Sequence, residues 1–277
     1  MIVSMFAFAT TDMFIKLAAS STTPPQVMFF LTVGSFIVFV SIALIQKDKI
    51  WDRNALSPVL LLRYFAEVIG MVGMILALRY IPLSTVGAIV QSVPLLVALG
   101  AVLTLGERVS WRRWSSIVVG FIGVLLIIQP GADGFELTVL WAVLAAIGLS
   151  VRDLTTRLTP PNMSSASLGA YSMIAAISFS VFWLAFSGES FIPQNEDWVI
   201  VLPMVSFGAF GYLVLVASVR MAEVSVVTPY RYTRLIFLMV FGVVLFGEKP
   251  DAMVLLGAAL IVVSGVYMMW RERVVQQ

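Results

Sequence analysis

The chain of 277 residues contains no cysteine and no histidine. Without cysteine there is no disulfide, no thiolate metal site and no cysteine nucleophile. Without histidine, the sequence lacks the commonest metal ligand and the usual general base near neutral pH. These absences argue against a metalloprotease and against a haem protein.

Charged residues are also scarce. They make up 12% of the chain, whereas 60% of the residues are hydrophobic. A soluble globular domain is about 25% charged, and the mean hydropathy here is +1.02. This number of charges cannot cover the surface of a water-soluble fold of this size. We therefore expect an integral membrane protein.

Residues 1–19 do not have the pattern of a cleavable signal peptide. They carry Asp12 and Lys16, and no small-residue cleavage site follows a short apolar core. We therefore interpret them as the first spanning helix.

The sequence contains ten apolar segments that are long enough to cross a membrane, for which roughly 20 residues are needed. Short connections rich in proline and other turn residues separate them. The segments are 2–19, 26–46, 58–80, 83–105, 111–129, 135–157, 165–187, 198–220, 223–247 and 251–270. The prediction is an all-α integral membrane protein with ten transmembrane helices.

Two stretches of the chain align without a gap at a shift of 141 residues, namely 78–109 and 219–250. The same shift extends toward the N-terminus. It places Asp12 on Asp153, Lys16 on Arg157, Arg79 on Arg220, Ser84 on Ser225, Gly106 on Gly247 and Glu107 on Glu248. Such a constant spacing indicates two copies of one unit.

We therefore divide the chain into a first repeat, residues 1–131, and a second repeat, residues 132–277. Each holds five predicted helices. Because five is an odd number, the second copy must enter the membrane from the opposite side. The predicted architecture is a 5+5 inverted-topology repeat, which many secondary transporters share.

The basic residues between the segments predict the orientation. If the N-terminus is inside, ten Lys or Arg residues lie at the inner ends and connections, and two, Arg79 and Lys249, lie at the outer ones. The inner set is Lys47, Lys49, Arg53, Arg108, Arg112, Arg113, Arg157, Arg220, Arg271 and Arg273. By the positive-inside rule, both termini are cytoplasmic.

A Leu/Phe-Gly-Glu ending closes the fourth helix of each repeat, at Gly106 and at Gly247. Glycine readily adopts the left-handed conformation that ends a helix. We expect Ser110 and Asp251 to cap the helices that follow.

These doubled endings, the early run Thr11-Asp12-Met13-Phe14-Ile15-Lys16 and the glycine-rich fifth helix resemble the EamA-type family of drug/metabolite transporters. The resemblance covers essentially the whole chain and is strongest to bacterial amino-acid and metabolite exporters. It implies a multi-pass exporter of small metabolites in the bacterial inner (cytoplasmic) membrane.

The densest polar cluster inside a predicted span is in the ninth segment, where Tyr230, Arg231 and Arg234 share one helical face. An arginine pair there can hold a substrate carboxylate through forked hydrogen bonds. In the alternative interpretation, both arginines reach the inner surface or neutralise a carboxylate of Asp12, Asp153 or Glu67.

The corresponding stretch of the fourth segment contains Gln91 and Pro94. Proline removes a backbone hydrogen bond, and interrupted helices often mark transporter sites; a kink that serves only packing is the alternative. Thr10, Ser206 and Tyr212 complete the predicted substrate-binding set. Tyr80 is a candidate for either an outer gate or the interfacial aromatic belt.

Two pairs of opposite charge lie four residues apart, Arg63 with Glu67 and Asp12 with Lys16. We expect each pair to neutralise itself along its own helix. In a second interpretation, Glu67 takes up a proton during transport.

The function predicted from these features is a secondary transporter that exports neutral or aromatic amino acids by alternating access. No GxxxxGK[ST] motif is present, so ATP is not the direct energy source. A membrane enzyme would need a nucleophile with a nearby base. The alternatives of a passive facilitator or channel, or of an exporter of other metabolites or drugs, are not excluded by the sequence.

No cofactor, metal or nucleic-acid partner is implied, and the chain looks sufficient as a monomer in the bilayer.

The topology is testable because the chain has no cysteine of its own. Single-cysteine variants Lys49→Cys and Asp133→Cys should react with a membrane-impermeant maleimide from opposite faces of the membrane. Labelling of both positions from one face would contradict the inverted repeat.

Overall fold

The computed structural model describes residues 1–48, 53–106, 111–130, 136–159, 163–191, 198–221 and 228–276. These ranges form helices and turns, with no β-strand among them. The helices are α1 (Ile2–Ala18), α2 (Pro24–Ile45), α3 (Pro58–Tyr80), α4 (Leu83–Val90), α5 (Val93–Leu105), α6 (Trp111–Ile128), α7 (Leu140–Thr156), α8 (Ser165–Ser187), α9 (Trp198–Met221), α10 (Thr233–Phe246) and α11 (Ala252–Gln276). Short 3₁₀ turns occur at Arg53–Leu56, Leu137–Val139 and Thr228–Tyr232.

Local sequence explains where several helices begin. Proline is the first residue of α2 and of α3, a position where its missing N–H would be unpaired anyway. Before α2, the backbone N–H of Thr23 donates to the Gln26 side chain at 3.0 Å. Ser164 caps α8 by accepting a hydrogen bond from the Ser167 N–H at 3.1 Å.

Within the described ranges, eight helical segments are long and apolar enough to cross a membrane. They are Pro24–Ile45, Pro58–Tyr80, Leu83–Thr104, Leu137–Thr156, Ser165–Ser187, Trp198–Leu215, Pro229–Phe246 and Ala252–Trp270. The two remaining predicted spans correspond to α1, of 17 residues, and to α6, whose apolar part is Trp114–Ile128. The protein is an all-helical multi-pass membrane protein, and the count of ten spans stays a prediction.

The fourth predicted segment, 83–105, is not one continuous helix. It ends at Val90 and resumes at Val93, so that Gln91 and Ser92 lie between α4 and α5. Pro94 has no N–H to donate to the Val90 carbonyl four residues earlier. The predicted interruption is therefore present. The ninth segment likewise starts with the Thr228–Tyr232 turn before α10, and residues 223–227 lie outside the described ranges.

The predicted helix ends are confirmed at both glycines. Gly106 and Gly247 have φ values of 66° and 63°, in the left-handed region. Asp251 caps α11, because its Oδ1 accepts a hydrogen bond from the Val254 N–H at 2.7 Å. Ser110 lies outside the described residues.

The most extensive contacts always join a helix of the first half of the chain to one of the second half. These pairs are α3 with α7, α6 with α11, α2 with α8, and α1 with α9. Glycines allow the closest approach between α3 and α7. A Cβ atom on Gly148 would meet the Gly70 backbone nitrogen at 2.5 Å, and one on Gly73 would meet the Ala145 nitrogen at 2.6 Å.

We expect Gly148→Ala to lower the apparent melting temperature in detergent, because the added methyl group must push α3 and α7 apart. Overpacking of this kind costs about 1–3 kcal/mol. The matched control is Gly208→Ala, since a Cβ there would lie 3.6 Å from its nearest neighbour, an ordinary contact distance. Equal melting temperatures for the two variants would contradict this account of the interface.

Candidate substrate cavity

A cavity of about 680 Å³ lies where the α4–α5 break faces the turn that precedes α10. A smaller space of about 210 Å³ adjoins it between α1, α2, α3 and α9. The two share six lining residues: Phe8, Phe39, Glu67, Met173, Tyr212 and Arg234. We therefore treat them as one site with a large and a small compartment.

The large compartment extends to one end of the helix bundle. Its lining includes Met5 near the start of α1, Arg157 after α7 and Ser165 at the start of α8. Met1, at the same end, donates a hydrogen bond from its amino group to Ser218 Oγ at 2.6 Å. We call this the N-terminal end of the bundle, and the end where α1 finishes the opposite end.

Glu67, Arg152 and Asp153 form an ion-paired triad on one wall. Arg152 Nη1 lies 3.1 Å from Glu67 Oε1, and Nη2 lies 2.7 Å from Asp153 Oδ1. The triad links α3 to α7 directly beside the glycine contact between these helices. It contains two carboxylates and one guanidinium, and Arg63 and Arg231 lie within electrostatic reach of its carboxylates.

Asp12 and Arg234 form a second ion pair, which joins α1 to α10. Arg234 Nε donates to Asp12 Oδ2 at 2.9 Å, and Asp12 is only 3% exposed. The guanidinium also lies over the Phe8 ring, 5.7 Å from its centroid. A buried carboxylate of this kind requires such a partner, because removing one member of a buried pair leaves an uncompensated charge.

Neither expected pair along a single helix forms a direct ion pair, although Arg63 lies within electrostatic reach of Glu67. Glu67 pairs with Arg152 on another helix, while Arg63 Nε donates to Thr156 Oγ1 at 2.9 Å and its Nη1 donates to Ser172 Oγ. Lys16 lies near Glu248 rather than bonding Asp12. Neighbouring helices supply the partners inside the bundle, and this overrides the weak preference for four-residue spacing that applies on exposed helices.

Arg231 differs from the other arginines of the site. Its side chain lines the large compartment and is exposed there, and in the described part of the chain its guanidinium makes no hydrogen bond or ion pair. Only its backbone carbonyl is engaged, by Gln91 Nε2 at 3.2 Å. Arg231 therefore presents to the cavity guanidinium N–H donors that have no hydrogen-bond partner among the described residues, with Asp153 within electrostatic reach.

The small compartment is mostly apolar. Phe39 and Tyr212 meet edge to face with ring centroids 4.3 Å apart. The remaining wall is formed largely by Phe8, Met71, Met74 and Met173. Thioethers are polarizable and adapt to irregular shapes, so this wall suits the apolar or aromatic part of a small molecule.

Six of the residues predicted from the sequence line the site: Glu67, Gln91, Pro94, Tyr212, Arg231 and Arg234. Four do not. Thr10 is buried and its Oγ1 donates to the Phe6 carbonyl at 2.9 Å. Ser206 and Tyr230 are exposed away from the site. Tyr80 is 52% exposed at the opposite end, with the Arg79 guanidinium 6.0 Å from its ring.

The helical geometry explains these misplacements. Ser206 and Tyr212 are six residues apart on α9, so they point to different sides of the helix. Gly208 and Ala209, rather than Ser206, line the cavity with Tyr212. Thr11 rather than Thr10 reaches the cavity. Tyr230 belongs to a 3₁₀ turn, whose side-chain spacing is not that of an α-helix.

The sequence reasoning did not identify Arg152 or Asp153 as cavity residues. The sequence does contain a signal for Asp153, because the shift of 141 residues places it on Asp12. Both carboxylates line the site. Arg152 has no such signal, since the shift relates it to Thr11.

Comparison with a solved crystal structure supports this fold. The two chains superpose with a TM-score of 0.60 at 16% sequence identity, over 97% of this chain and 98% of the other.

Three relatives of known name are similar over most of the sequence. An S-adenosylmethionine uptake transporter of Rickettsia conorii is 27% identical over 98% of this chain and 92% of its own length. A riboflavin transporter of Vibrio cholerae is 29% identical over 74% and 68%. The pseudopaline exporter CntI of Pseudomonas aeruginosa is 21% identical over 95% and 92%.

The EamA-like transporter family matches residues 1–129 and residues 136–271. These matches cover nearly all the helices that surround the cavity. The protein is a transporter rather than an enzyme, and it belongs to the EamA-like transporter family of the drug/metabolite transporter superfamily.

Proposed function

We propose that this protein is a secondary transporter of small zwitterionic metabolites that carry a carboxylate, and that it works by alternating access. The observation that carries the proposal is Arg231, whose guanidinium lines the cavity and has no hydrogen-bonding partner in the described part of the chain. A substrate carboxylate would supply that partner through a charge-assisted hydrogen bond.

The other charges of the site explain why a zwitterion fits better than a simple anion. Arg152 and Arg234 are already held by carboxylates, so they are less available to a substrate. The carboxylates of Glu67 and Asp153 line the same cavity and can attract an ammonium or other cationic group. Arg231 lies within electrostatic reach of Asp153, so the two signs of a zwitterion can be met in one cavity.

The size of the site agrees with a metabolite rather than an inorganic ion. Pockets for small organic ligands are about 300–1,000 Å³, and the large compartment alone is about 680 Å³. The methionine and phenylalanine wall of the small compartment then accommodates an apolar or aromatic group.

The named relatives bear on the substrate class and on the direction of transport. S-adenosylmethionine carries an amino-acid carboxylate and a purine ring, so it belongs to the proposed class, as amino acids do. Riboflavin has no carboxylate. One relative is named for uptake and another for export, so amino-acid export in particular has no support from them. We propose that the substrate and ion gradients set the direction.

We also propose that the ten segments form two inverted repeats, residues 1–131 and 132–277. The family matches 1–129 and 136–271 separately, which supports this division. The packing supports it as well. Under the shift of 141 residues, the pair α3 and α7 exchanges with the pair α9 and α1, while α2 with α8 and α6 with α11 each correspond to themselves.

In this arrangement the N-terminal end of the bundle faces the cytoplasm, as the surplus of basic residues there favours. The cavity then faces inward, while hydrogen bonds of Lys16 and Glu248 join helices at the opposite end. Such connections favour alternating access over a passive channel, which would need a continuous path.

Replacement of Arg231 tests the proposed substrate class. In proteoliposomes, Arg231→Ala should lower the uptake of radiolabelled S-adenosylmethionine or of zwitterionic amino acids about tenfold or more, because a hydrogen bond to a charged group contributes about 1.5–3 kcal/mol. Arg231→Lys should keep part of the uptake, since it keeps the charge but not the planar fork.

The matched control is Arg112→Ala, which removes an arginine that is exposed beside Trp111, outside the cavity, and should leave uptake unchanged. Competition by excess riboflavin tests the class itself. If riboflavin is carried and no carboxylate-bearing zwitterion is, or if Arg231→Ala transports at the unmodified rate, the proposal is wrong.

A further inference from the structure

Glu248, which follows α10 directly, reaches across the opposite end of the bundle to the start of α4. Its Oε1 accepts a hydrogen bond from the Leu83 N–H at 2.5 Å. Its Oε2 accepts hydrogen bonds from the N–H and the hydroxyl of Ser84, at 3.0 and 2.7 Å. The first N–H groups of a helix have no partner within it and favour negative charge, so one carboxylate satisfies α4 from another helix.

Two glycines allow this reach. Gly247 turns the chain in the left-handed conformation, after which the Glu248 N–H donates to the Gly242 carbonyl at 2.9 Å. Gly242 leaves room for the carboxylate, because a Cβ atom there would overlap Glu248 Oε2. The surrounding backbone thus fixes the position of the Glu248 side chain.

Lys16 extends the connection to two further helices. Its Nζ donates to the carbonyls of Ile81 at 2.7 Å and of Leu78 at 3.3 Å, at the end of α3. It also lies 3.8 Å from Glu248 Oε1. We call Lys16, Ser84 and Glu248 the latch, since together they connect the ends of α1, α3, α4 and α10.

The capping role expected of the Phe-Gly-Glu ending does not account for this side chain. Gly247 ends α10, and Asp251 caps α11 through Val254. Neither helix uses the Glu248 carboxylate.

We propose that Glu248 is the gating residue of the opposite end: its bonds to α4 keep that end closed while the cavity extends to the N-terminal end, and their release opens it. The inference rests on the alternating-access cycle proposed above.

The position of α4 explains how the cavity can act on the latch. This helix has eight residues and is separated from α5 by the break at Gln91 and Ser92. Glu248 holds its first turn, and Gln91, at its other end, bonds to the backbone of Arg231. A substrate that moves Arg231 therefore pulls on the same short helix that the latch holds.

The test measures access to the cavity from the face of the opposite end, without any substrate. A single cysteine replaces Ile75, which is 3% exposed and lines the small compartment. A membrane-impermeant maleimide is then added on that face only. Glu248→Ala should raise the labelling rate about tenfold or more, because losing hydrogen bonds to a charged acceptor shifts a two-state equilibrium by that factor.

Asp251→Ala is the matched control. It also removes a carboxylate that caps a helix start, three residues further along. Asp251 caps its own helix and accepts a hydrogen bond from Gln129 after α6, but it does not bond to α4, so the labelling rate should not change. If Glu248→Ala does not fold, Glu248→Gln keeps the volume and one acceptor and should raise the rate several-fold. Ser84→Ala should give a smaller increase.

Both alanine variants should lower the melting temperature, because each loses a carboxylate that caps a helix. A higher labelling rate in Glu248→Ala alone therefore indicates gating rather than general loosening. Labelling at the starting rate in folded Glu248→Ala or Glu248→Gln would overturn the proposal, and so would an equal increase in Asp251→Ala. Because no substrate is present, this failure is distinct from the failure of the Arg231 experiment.

Discussion

Because lipid surrounds the helix bundle, ionised side chains inside it need a partner of opposite charge or a polar cavity. Polar and ionised groups within a spanning segment are costly in a bilayer. Two of the pairs join different helices: Asp12 with Arg234, and Glu67 with Arg152. Each pair therefore fixes the position of one helix against another. The same pairs enclose the cavity, so the charges that organise the fold also set the polarity of the site.

Close packing supports these charges. Gly148 lets α7 approach α3 until backbone meets backbone, and four residues along α7 from Gly148, Arg152 reaches Glu67 on α3. The close approach and the ion pair thus occur together on the same face of α7. Glycine is the means here because only its hydrogen atom fits between the two helices.

Local features of this fold were predictable from the sequence, and contacts between distant segments were not. The glycine helix ends and the interruption at Pro94 depend on a few neighbouring residues, so propensity and spacing identify them. The pairing of Arg63 with Glu67 looked equally local, but a partner on α7 competes with it. Thr10 was placed in the cavity although its neighbour Thr11 lines it, since a shift of one residue turns a side chain by about 100°.

The methionine wall of the small compartment has a chemical consequence for a cell under oxidative stress. Met71, Met74 and Met173 present thioethers to the site, and oxidation converts a thioether into a polar, chiral sulfoxide. One such lesion would add an oxygen atom to the lining of the small compartment and make it more polar. The thioethers that suit an apolar group thus also make the small compartment sensitive to oxidation, a change that sulfoxide reductases can reverse.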